Sequence, residues 1–411
     1  MSRALRTLIG GITLTTIFAA CSSDHDSPAL ADAKPTAPPD AGSDAHSTDL
    51  YIPPMGPAPI AAVLGRIDDL RSSGDGRLFF LDLQKRTFLK NPVFEDWFCS
   101  PLLRNVGTNY YVANGNYCDS LQVFNQESGE EREIDLDEGR VGRSRIGPID
   151  LLISPSGEGI YLLTRSALFL YDPTANLLTQ KLDFTTQYSP EENMGTMASR
   201  IISLGGLLYI GVSDFGIGDF SFGVPQRSRV LVVNPRSNPE AAEILASVEL
   251  PFIAPVSMKA HEETGRIFIS CAGLTELDRR LIRTGGLTYL ETETLRVDPG
   301  IDDLELEGIP GDLELADEFG FLLIRRPRNI DIDHPYSEVQ RFQPYPFRME
   351  RVGPVYRDLG PKRIADMKWR PEIEQLLVGR RSPPAAIVFV TAEGDINDEV
   401  PIPDYPVVAI E

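Results

Sequence analysis

The chain has 411 residues, with 60 acidic and 39 basic side chains and a net charge of −21 at pH 7. An acidic surface of this kind repels phosphate groups, so the composition argues against nucleic acid and against anionic membranes as partners. The four cysteines include no Cys-x-x-Cys pair, which argues against a zinc site and against a thioredoxin-type redox site.

The N-terminal 20 residues have the order of an export signal. Arg3 and Arg6 come first, and an apolar run of about 13 residues then extends over residues 8–20. A membrane-spanning helix needs about 20 apolar residues, so this run suits the core of a signal peptide better than a permanent span. We therefore expect residues 1–20 to be a signal peptide.

The end of this run resembles the lipobox of bacterial lipoproteins. Phe18, Ala19 and Ala20 precede Cys21, and the two small residues allow a peptidase to approach the backbone closely. The resemblance implies that Cys21 becomes the lipidated first residue of the mature chain. It also implies the outer membrane as the destination, because Ser22 stands where an inner-membrane retention signal has Asp. An ordinary secretory signal cut near Ala20 is the alternative.

The next segment, residues 21–60, is rich in Pro, Ala, Asp and Ser and has too few apolar residues to form a core. We expect it to be disordered or partly in a polyproline conformation. Its ends would then lie between roughly 35 Å apart as a flexible coil and roughly 120 Å apart when fully extended. This composition predicts a tether that holds a folded domain away from a membrane.

The remaining cysteines lie in the part of the chain with globular composition. Cys99 and Cys118 of an exported protein are predicted to form a disulfide, which would contribute about 3 kcal/mol to stability. Cys271 alternates with apolar residues in a strand-like run, so we expect a buried and unpaired thiol.

Residues 61–411 contain a repeat of apolar, β-branched and aromatic runs bounded by Gly, Pro, Asn and Asp. The spacing of about 43–62 residues is the period of a β-propeller blade. We predict an all-β fold, a single β-propeller of seven four-stranded blades. The expected inner strands of blades 2–7 are residues 109–114, 159–164, 207–212, 266–270, 320–324 and 375–379. Second strands are expected to begin near Leu121, Leu168, Val230, Leu287, Val339 and Ile387, and a further copy at residues 77–82 opens the domain.

One repeat resembles a known propeller family. Residues 111–114 read Tyr-Val-Ala-Asn, residues 121–124 read Leu-Gln-Val-Phe, and Ser128-Gly129 follows. This order is similar to the YVTN-type repeat, and the resemblance implies a fold only, since such propellers differ widely in activity. WD-type repeats would need Gly-His and Trp-Asp pairs, and quinoprotein-like propellers would need many tryptophans; the sequence has neither.

Loops between the first and second expected strands should all lie on one face of the propeller. They are long in three consecutive blades: residues 213–228 in blade 4, 272–286 in blade 5 and 325–338 in blade 6. These loops are rich in aromatic residues and Arg, which dominate interface energies. The candidate binding residues are Phe215, Phe220, Phe222, Arg279, Arg280, Arg283, Arg325, Arg326, Arg328 and Tyr336. The alternative is that the long loops are tolerated decoration.

Sequence motifs for catalysis are weak. No nucleophile elbow and no phosphate-binding Gly-rich loop is present, and no catalytic residue is nominated. Asp331, Asp333 and His334 offer hard ligands that calcium could use, as does the acidic stretch at residues 395–399. A solvated acidic turn is the alternative for both, and we expect no other cofactor.

These observations support two functions and a weaker third. The first is a non-enzymatic binding or scaffold protein, lipid-anchored in the cell envelope, that engages a protein or a glycan through the loops of blades 4–6. The second is a metal-dependent, lactonase-like hydrolase with a site at the central channel, which needs inward-facing polar side chains near the propeller axis. A mainly structural envelope component is the third.

Overall fold

A computed structural model of the chain describes residues 60–66, 73–89, 94–99, 101–115, 120–136, 147–154, 159–184, 194–216, 225–235, 241–274, 283–326, 336–350, 353–358, 364–381, 384–402 and 405–411. The predicted signal peptide, Cys21 and nearly all of the tether lie outside these residues. No helix in the described ranges is long and apolar enough to cross a membrane.

Most residues of the described ranges lie in β-strands, and a 3-10 turn occupies Glu262–Thr264. The first strands in chain order are β1 (Ile60–Arg66), β2 (Ser73–Asp82), β3 (Thr87–Phe88), β4 (Phe94–Cys99), β5 (Leu102–Val106), β6 (Asn109–Asn114), β7 (Ser120–Asn125), β8 (Glu131–Asp135), β9 (Pro148–Ile153), β10 (Ile160–Thr164), β11 (Ala167–Asp172), β12 (Leu177–Asp183), β13 (Met194–Leu204), β14 (Leu207–Gly216), β15 (Pro225–Asn234) and β16 (Glu243–Glu249). They continue with β17 (Pro255–His261), β18 (Arg266–Cys271), β19 (Gly286–Glu291), β20 (Arg296–Val297), β21 (Ile301–Asp302), β22 (Ile309–Leu315), β23 (Gly320–Arg326), β24 (Tyr336–Gln343), β25 (Arg348–Met349), β26 (Tyr356–Asp358), β27 (Ile364–Arg370), β28 (Gln375–Arg380), β29 (Ala386–Thr391), β30 (Ile396–Pro401) and β31 (Val407–Ile410).

These strands form seven antiparallel sheets, the blades of a seven-bladed β-propeller, which confirms the predicted fold class. We call the four strand positions of a blade A to D from the axis outward. In that order the blades contain β31-β1-β2-β3/β4, β5-β6-β7-β8, β9-β10-β11-β12, β13-β14-β15-β16, β17-β18-β19-β20/β21, β22-β23-β24-β25/β26 and β27-β28-β29-β30. The D position of blades 1, 5 and 6 is divided between two short strands.

The prediction of the inner strands was wrong by one position. The runs expected to be innermost are β6, β10, β14, β18, β23 and β28, which occupy position B. The A strands before them were missed, because they place polar side chains in the channel and apolar ones between blades. Successive A strands contact one another around the axis, as β9, β13, β17 and β22 do.

The strong apolar runs form strands B and C because these strands are buried on both faces. Every residue of β10 is buried, as are Ala386–Val390 of β29. The outer strand β16 instead alternates exposed and half-buried residues. Core clusters form where neighbouring sheets face each other, so Leu163 of blade 3 packs in one cluster with Leu208 and Ile210 of blade 4.

The ring closes by joining the two ends of the domain in blade 1. Strand β31 supplies position A, and β1 pairs with it antiparallel. The backbone N–H of Ala62 donates to the carbonyl of Glu411 at 2.7 Å, and Glu411 returns a bond of 2.9 Å. The neighbouring Gly379 of blade 7 leaves room for this junction, since a Cβ there would lie 2.6 Å from Val407 Cγ1.

Strand direction defines the two faces of the propeller. Each A strand begins at the face that also carries the B-to-C connections, and it runs away from that face. We call this the loop face. The long B-to-C connections of blades 4–6 therefore share one face, as the sequence predicted.

Candidate functional site

The A strands line a central channel of about 460 Å³. In each A strand two side chains separated by one residue face the channel, and the residue between them is buried between blades, as Leu151 and Met367 are. The seven strands therefore build two rings. The upper ring, nearer the loop face, consists of Leu102, Asp150, Arg200, Ser257, Asp312, Asp366 and Ala409. The lower ring consists of Arg104, Leu152, Ile202, Lys259, Glu314, Lys368 and Glu411.

Opposite charges alternate around five of the seven positions of the lower ring. Lys259 Nζ lies 2.5 Å from Glu314 Oε1. Lys368 Nζ lies 3.1 Å from Glu411 Oε2, and Arg104 Nη1 approaches the same oxygen at 4.0 Å. Burial disfavours the charged forms of Glu411 and Lys259, but their oppositely charged neighbours outweigh this effect. Lys368 and Arg104 lower the pKa of Glu411, and Glu314 raises the pKa of Lys259. Three cations and two anions alternate here, so the lower ring balances all but one of its positive charges.

Two aspartates of the upper ring join neighbouring blades through their carboxylates. Asp150 Oδ1 accepts from its own neighbour Leu151 N at 3.0 Å, and Oδ2 accepts from Ile201 N of blade 4 at 3.0 Å. Asp366 Oδ1 likewise accepts from its neighbour Met367 N at 2.9 Å, and Oδ2 accepts from Ile410 N of blade 1 at 2.8 Å. Each carboxylate therefore satisfies two backbone donors on adjacent A strands.

Asp312 departs from this pattern. Its Oδ1 accepts from Leu313 N at 2.9 Å and from Ser257 Oγ of blade 5 at 2.5 Å, and its carboxylate contacts the Asp366 carboxyl group of blade 7. Burial, followed by the Asp312 charge, raises the pKa of Asp366 well above its usual range. Burial alone would raise the pKa of Asp312. The charge of Lys259 and the hydrogen bonds from Asp366 and Ser257 outweigh burial and lower this pKa. The pKa values of these two neighbouring carboxyl groups are thus shifted in opposite directions, and Asp366 is the more readily protonated of the two.

The channel continues toward the loop face into a second cavity of about 440 Å³, which we call the mouth. Three arginines from different strand ends line it: Arg66 at the end of β1 in blade 1, Arg325 near the end of β23 in blade 6 and Arg381 just after β28 in blade 7. The remaining described residues that line the mouth are apolar, with none acidic: Pro101, Ile364, Ala365 and Val408. Among the described residues, three arginines of a chain with net charge −21 therefore converge on the mouth.

The predicted binding-face residues fall into several environments. Arg325 is exposed and lines the mouth, whereas the adjacent Arg326 is only 8% exposed and pairs with the buried Glu338. Arg283 is exposed and lies 3.5 Å from Asp302. Tyr336 is half-buried, with the Arg357 guanidinium 5.1 Å from its ring centroid. The structure therefore gives Arg326 a place inside the blade and Arg325 a place on the surface.

The loop of blade 4 is shorter than the predicted residues 213–228. Strands β14 and β15 continue the blade to Gly216 and from Pro225, and Ser213 Oγ and Ser228 Oγ bond across them at 2.9 Å. Phe215 ends this extension and is half-buried.

Several predicted residues lie outside the part of the chain that the structure describes, or have no described side chain. They are Cys21, Cys99, Cys118, Phe220, Phe222, Arg279, Arg280, Arg328, Asp331, Asp333 and His334. The lipidation, the disulfide and the calcium site therefore stay predictions. Cys271 is buried and unpaired, as predicted, and burial raises the pKa of its thiol.

The channel residues were not nominated from the sequence, although a weak signal exists. Ser257-Met-Lys259, Asp312-Leu-Glu314 and Asp366-Met-Lys368 share an order, polar, apolar, charged, that recurs in three consecutive blades about every 54 residues, which is a blade repeat. Aligning the repeats on these triplets would have placed both charged positions on one side of a strand, facing the axis.

No protein-family model matches the chain, and no curated protein matches its sequence. Its fold is similar to that of a candidate 6-phosphogluconolactonase of Bacteroides fragilis, with 14% identity, a TM-score of 0.54 and coverage of 86% of this chain and 97% of that one. The periplasmic gluconolactonase of Pseudomonas aeruginosa has 14% identity and a TM-score of 0.57, with coverage of 86% of this chain and 98% of that one. A protein of Lactobacillus plantarum has 10% identity and a TM-score of 0.56, with coverage of 86% of this chain and 99% of that one. At these identities the likeness shows the fold alone: a propeller structurally like the lactonase and YVTN-type propellers.

Proposed function

We propose that this protein is a cell-envelope binding protein whose ligand occupies the loop face, at the mouth of the channel. The observation that carries the proposal is the convergence of Arg66, Arg325 and Arg381 on one cavity that opens into the channel. Guanidinium groups bind carboxylate and phosphate groups with paired hydrogen bonds, so the ligand presents an anionic group. Arg325 belongs to the predicted loop surface of blades 4–6, so the mouth extends that surface toward the axis.

The shape of the site favours an acidic glycan over a protein as the partner. The mouth and the channel beneath it have volumes of about 440 and 460 Å³, within the size range of small-molecule sites. A sugar chain end enters a funnel of this size, whereas a folded protein engages only its rim. The lining of polar side chains in the channel suits hydroxyl groups.

The binding test uses the mature protein with an acidic and a neutral oligosaccharide, trigalacturonate and maltotriose, in isothermal titration calorimetry. We expect binding of the acidic probe and a roughly tenfold loss for Arg325→Ala or Arg381→Ala, because a hydrogen bond to a charged group contributes about 1.5–3 kcal/mol. Arg348→Ala, on the outer edge of blade 6, is the matched control and should bind as the wild type does. Equal binding by all four proteins contradicts the proposal.

A protein partner would use the surface of the three long loops and not the cavity. Shortening residues 217–224, 275–282 and 327–335 to tight turns tests this role. Loss of a captured envelope protein, with trigalacturonate binding retained, assigns the loops to a protein partner and the mouth to a separate ligand.

The envelope location is part of the proposal and rests on the export signal, Cys21 and the Pro-rich tether. A lipid on a long spacer lets a rigid propeller reach other envelope components while it stays attached. We place the protein at the outer membrane.

A hydrolase is the second candidate, and a specific observation favours it. Asp150, Asp312, Asp366, Glu314 and Glu411 all face the axis, which is the arrangement that this function requires. The likeness to a gluconolactonase fold agrees with it. The described residues contain no group of three or more metal-binding side chains, so the candidate rests on the carboxyl groups themselves.

A further inference from the structure

We propose that Asp312 and Asp366 form an acid–base pair that hydrolyses an ester bond, cyclic or open, in a ligand held in the channel. The inference deepens the hydrolase candidate and rests on it. It assigns Asp312 as the general base and Asp366 as the general acid.

The pair is held rigidly and faces the cavity. Both carboxyl groups line the channel below the mouth, so a ligand whose anionic end contacts Arg325 extends toward them. Backbone N–H groups of Leu313, Met367 and Ile410 orient the two side chains. Such fixed orientation is what general acid–base catalysis needs.

Joining the blades does not explain why two acids lie together. Asp150 and Asp366 each connect two A strands with one carboxylate, and Ser257 Oγ accepts from Leu313 N at 3.2 Å in the corresponding role between blades 5 and 6. Among the described residues, Asp312 accepts hydrogen bonds from Leu313 N and Ser257 Oγ, and none comes from an amide of blade 7. Placing a second carboxyl group beside Asp366 costs folding free energy, and sites that accept such a cost are often functional.

The surroundings shift the pKa values of the two acids in opposite directions. Lys259 and Arg200 act on Asp312 from blades 5 and 4, and Ser257 donates to it. Burial, followed by the negative charges of Asp312 and Glu314, raises the pKa of Asp366. Two carboxyl groups in contact cannot both ionise readily, and environments that separate them in this way define an acid and a base.

The reaction balances with water as the co-reactant. The Asp312 carboxylate removes a proton from water while the water oxygen forms a bond to the ester carbonyl carbon. The tetrahedral intermediate expels the alkoxide as the C–O ester bond breaks, and the alkoxide oxygen takes the Asp366 proton. Asp312 then carries the proton and Asp366 is ionised, and transfer across their contact restores the starting pair. The products are a carboxylic acid and an alcohol.

Three variants test the assignment: Asp312→Asn, Asp366→Asn and the control Asp172→Asn. Asp172 also accepts two backbone N–H bonds, from Thr174 and Ala175, but it lies at a turn of blade 3 and lines neither the channel nor the mouth. The probes are glucono-δ-lactone and p-nitrophenyl acetate. We expect the mature wild type to hydrolyse at least one of them. Asp312→Asn and Asp366→Asn should each lower kcat by roughly 100-fold or more, with the control within about threefold of the wild type.

The pH profile separates catalysis from a general loss of structure. The wild-type kcat should be bell-shaped; Asp312→Asn should remove its acid limb and Asp366→Asn its alkaline limb. Infrared spectra at pH 7 should show a protonated carboxylic acid that disappears in Asp366→Asn and persists in Asp172→Asn. Wild-type protein that hydrolyses neither probe, or an Asp312→Asn variant with the wild-type rate, overturns the assignment. Trigalacturonate binding, measured on the same samples, separates this failure from failure of the binding proposal.

Discussion

Val63 and Ile410 lie opposite each other in blade 1, although nearly the whole propeller separates them along the chain. Both are fully or almost fully buried and belong to one core cluster with Leu377 and Phe389 of blade 7. The last strand of the chain therefore completes the first blade and packs it against the last. Closure by a strand from the opposite end removes the open edges that an incomplete ring would expose.

The first prediction concerns this junction. Ile410→Ala should lower the free energy of unfolding by about 2–5 kcal/mol, because it removes buried methyl groups from a packed cluster. Urea denaturation followed by tryptophan fluorescence measures the change. Ile396→Ala is the control, since Ile396 is 59% exposed on the outer strand β30 and should change stability little. Equal losses in the two variants would mean that closure adds nothing to stability.

A second prediction separates two adjacent arginines of blade 6. Arg326→Ala should destabilise the protein by about 3 kcal/mol, because it removes a partner from Glu338, whose side chain is fully buried. Arg325→Ala should stay within about 0.5 kcal/mol of the wild type. Calorimetric melting and urea unfolding measure both.

The Arg325 variant should instead lose ligand at the mouth, so the two substitutions give opposite patterns of stability and binding. A stable Arg326→Ala protein with weakened trigalacturonate binding would place Arg326 on the binding surface and contradict its internal role.

Sequence alone predicts the blade number and strands B and C, since these strands are buried on both faces and read as continuous apolar runs. It misplaces the A strands, where Asp366-Met-Lys368 reads as an ordinary polar stretch. The pairing of Arg104 with Glu411 depends on ring closure, and that of Asp312 with Asp366 depends on adjacency of blades. Such contacts join residues one blade or the whole domain apart, so local pattern carries no sign of them.

The lower ring supplies a pH-dependent prediction. Lys368 and Arg104 lower the pKa of Glu411 below its ordinary 4.5 against the effect of burial. A carboxyl group whose pKa is lowered by folding contributes stability above its unfolded pKa, and this contribution disappears as the pH falls through the folded value. Glu411→Gln should therefore cost about 1 kcal/mol near pH 7, and the difference from wild type should shrink below pH 4.5.

Urea unfolding at a series of pH values measures this difference. Glu263→Gln, in the exposed 3-10 turn, is the control and should stay parallel to the wild type at every pH. A Glu411→Gln difference that stays constant from pH 7 to pH 3 would show that Glu411 contributes no linked protonation.

The last prediction tests the anchor from which the propeller extends. Cys21→Ser should abolish incorporation of a labelled fatty acid and move the protein from the membrane to the soluble fraction, because the Ser side chain offers no thiol for acylation and the described domain has no helix that spans a membrane. Ser22→Asp should keep the label and shift the protein to the inner membrane, as the lipoprotein resemblance implies. Labelling in growing cells, followed by separation of the two membranes, measures both changes. A Cys21→Ser protein that stays unlabelled but membrane-bound would point to attachment through another part of the chain. A wild type without label would favour the ordinary secretory signal cut near Ala20.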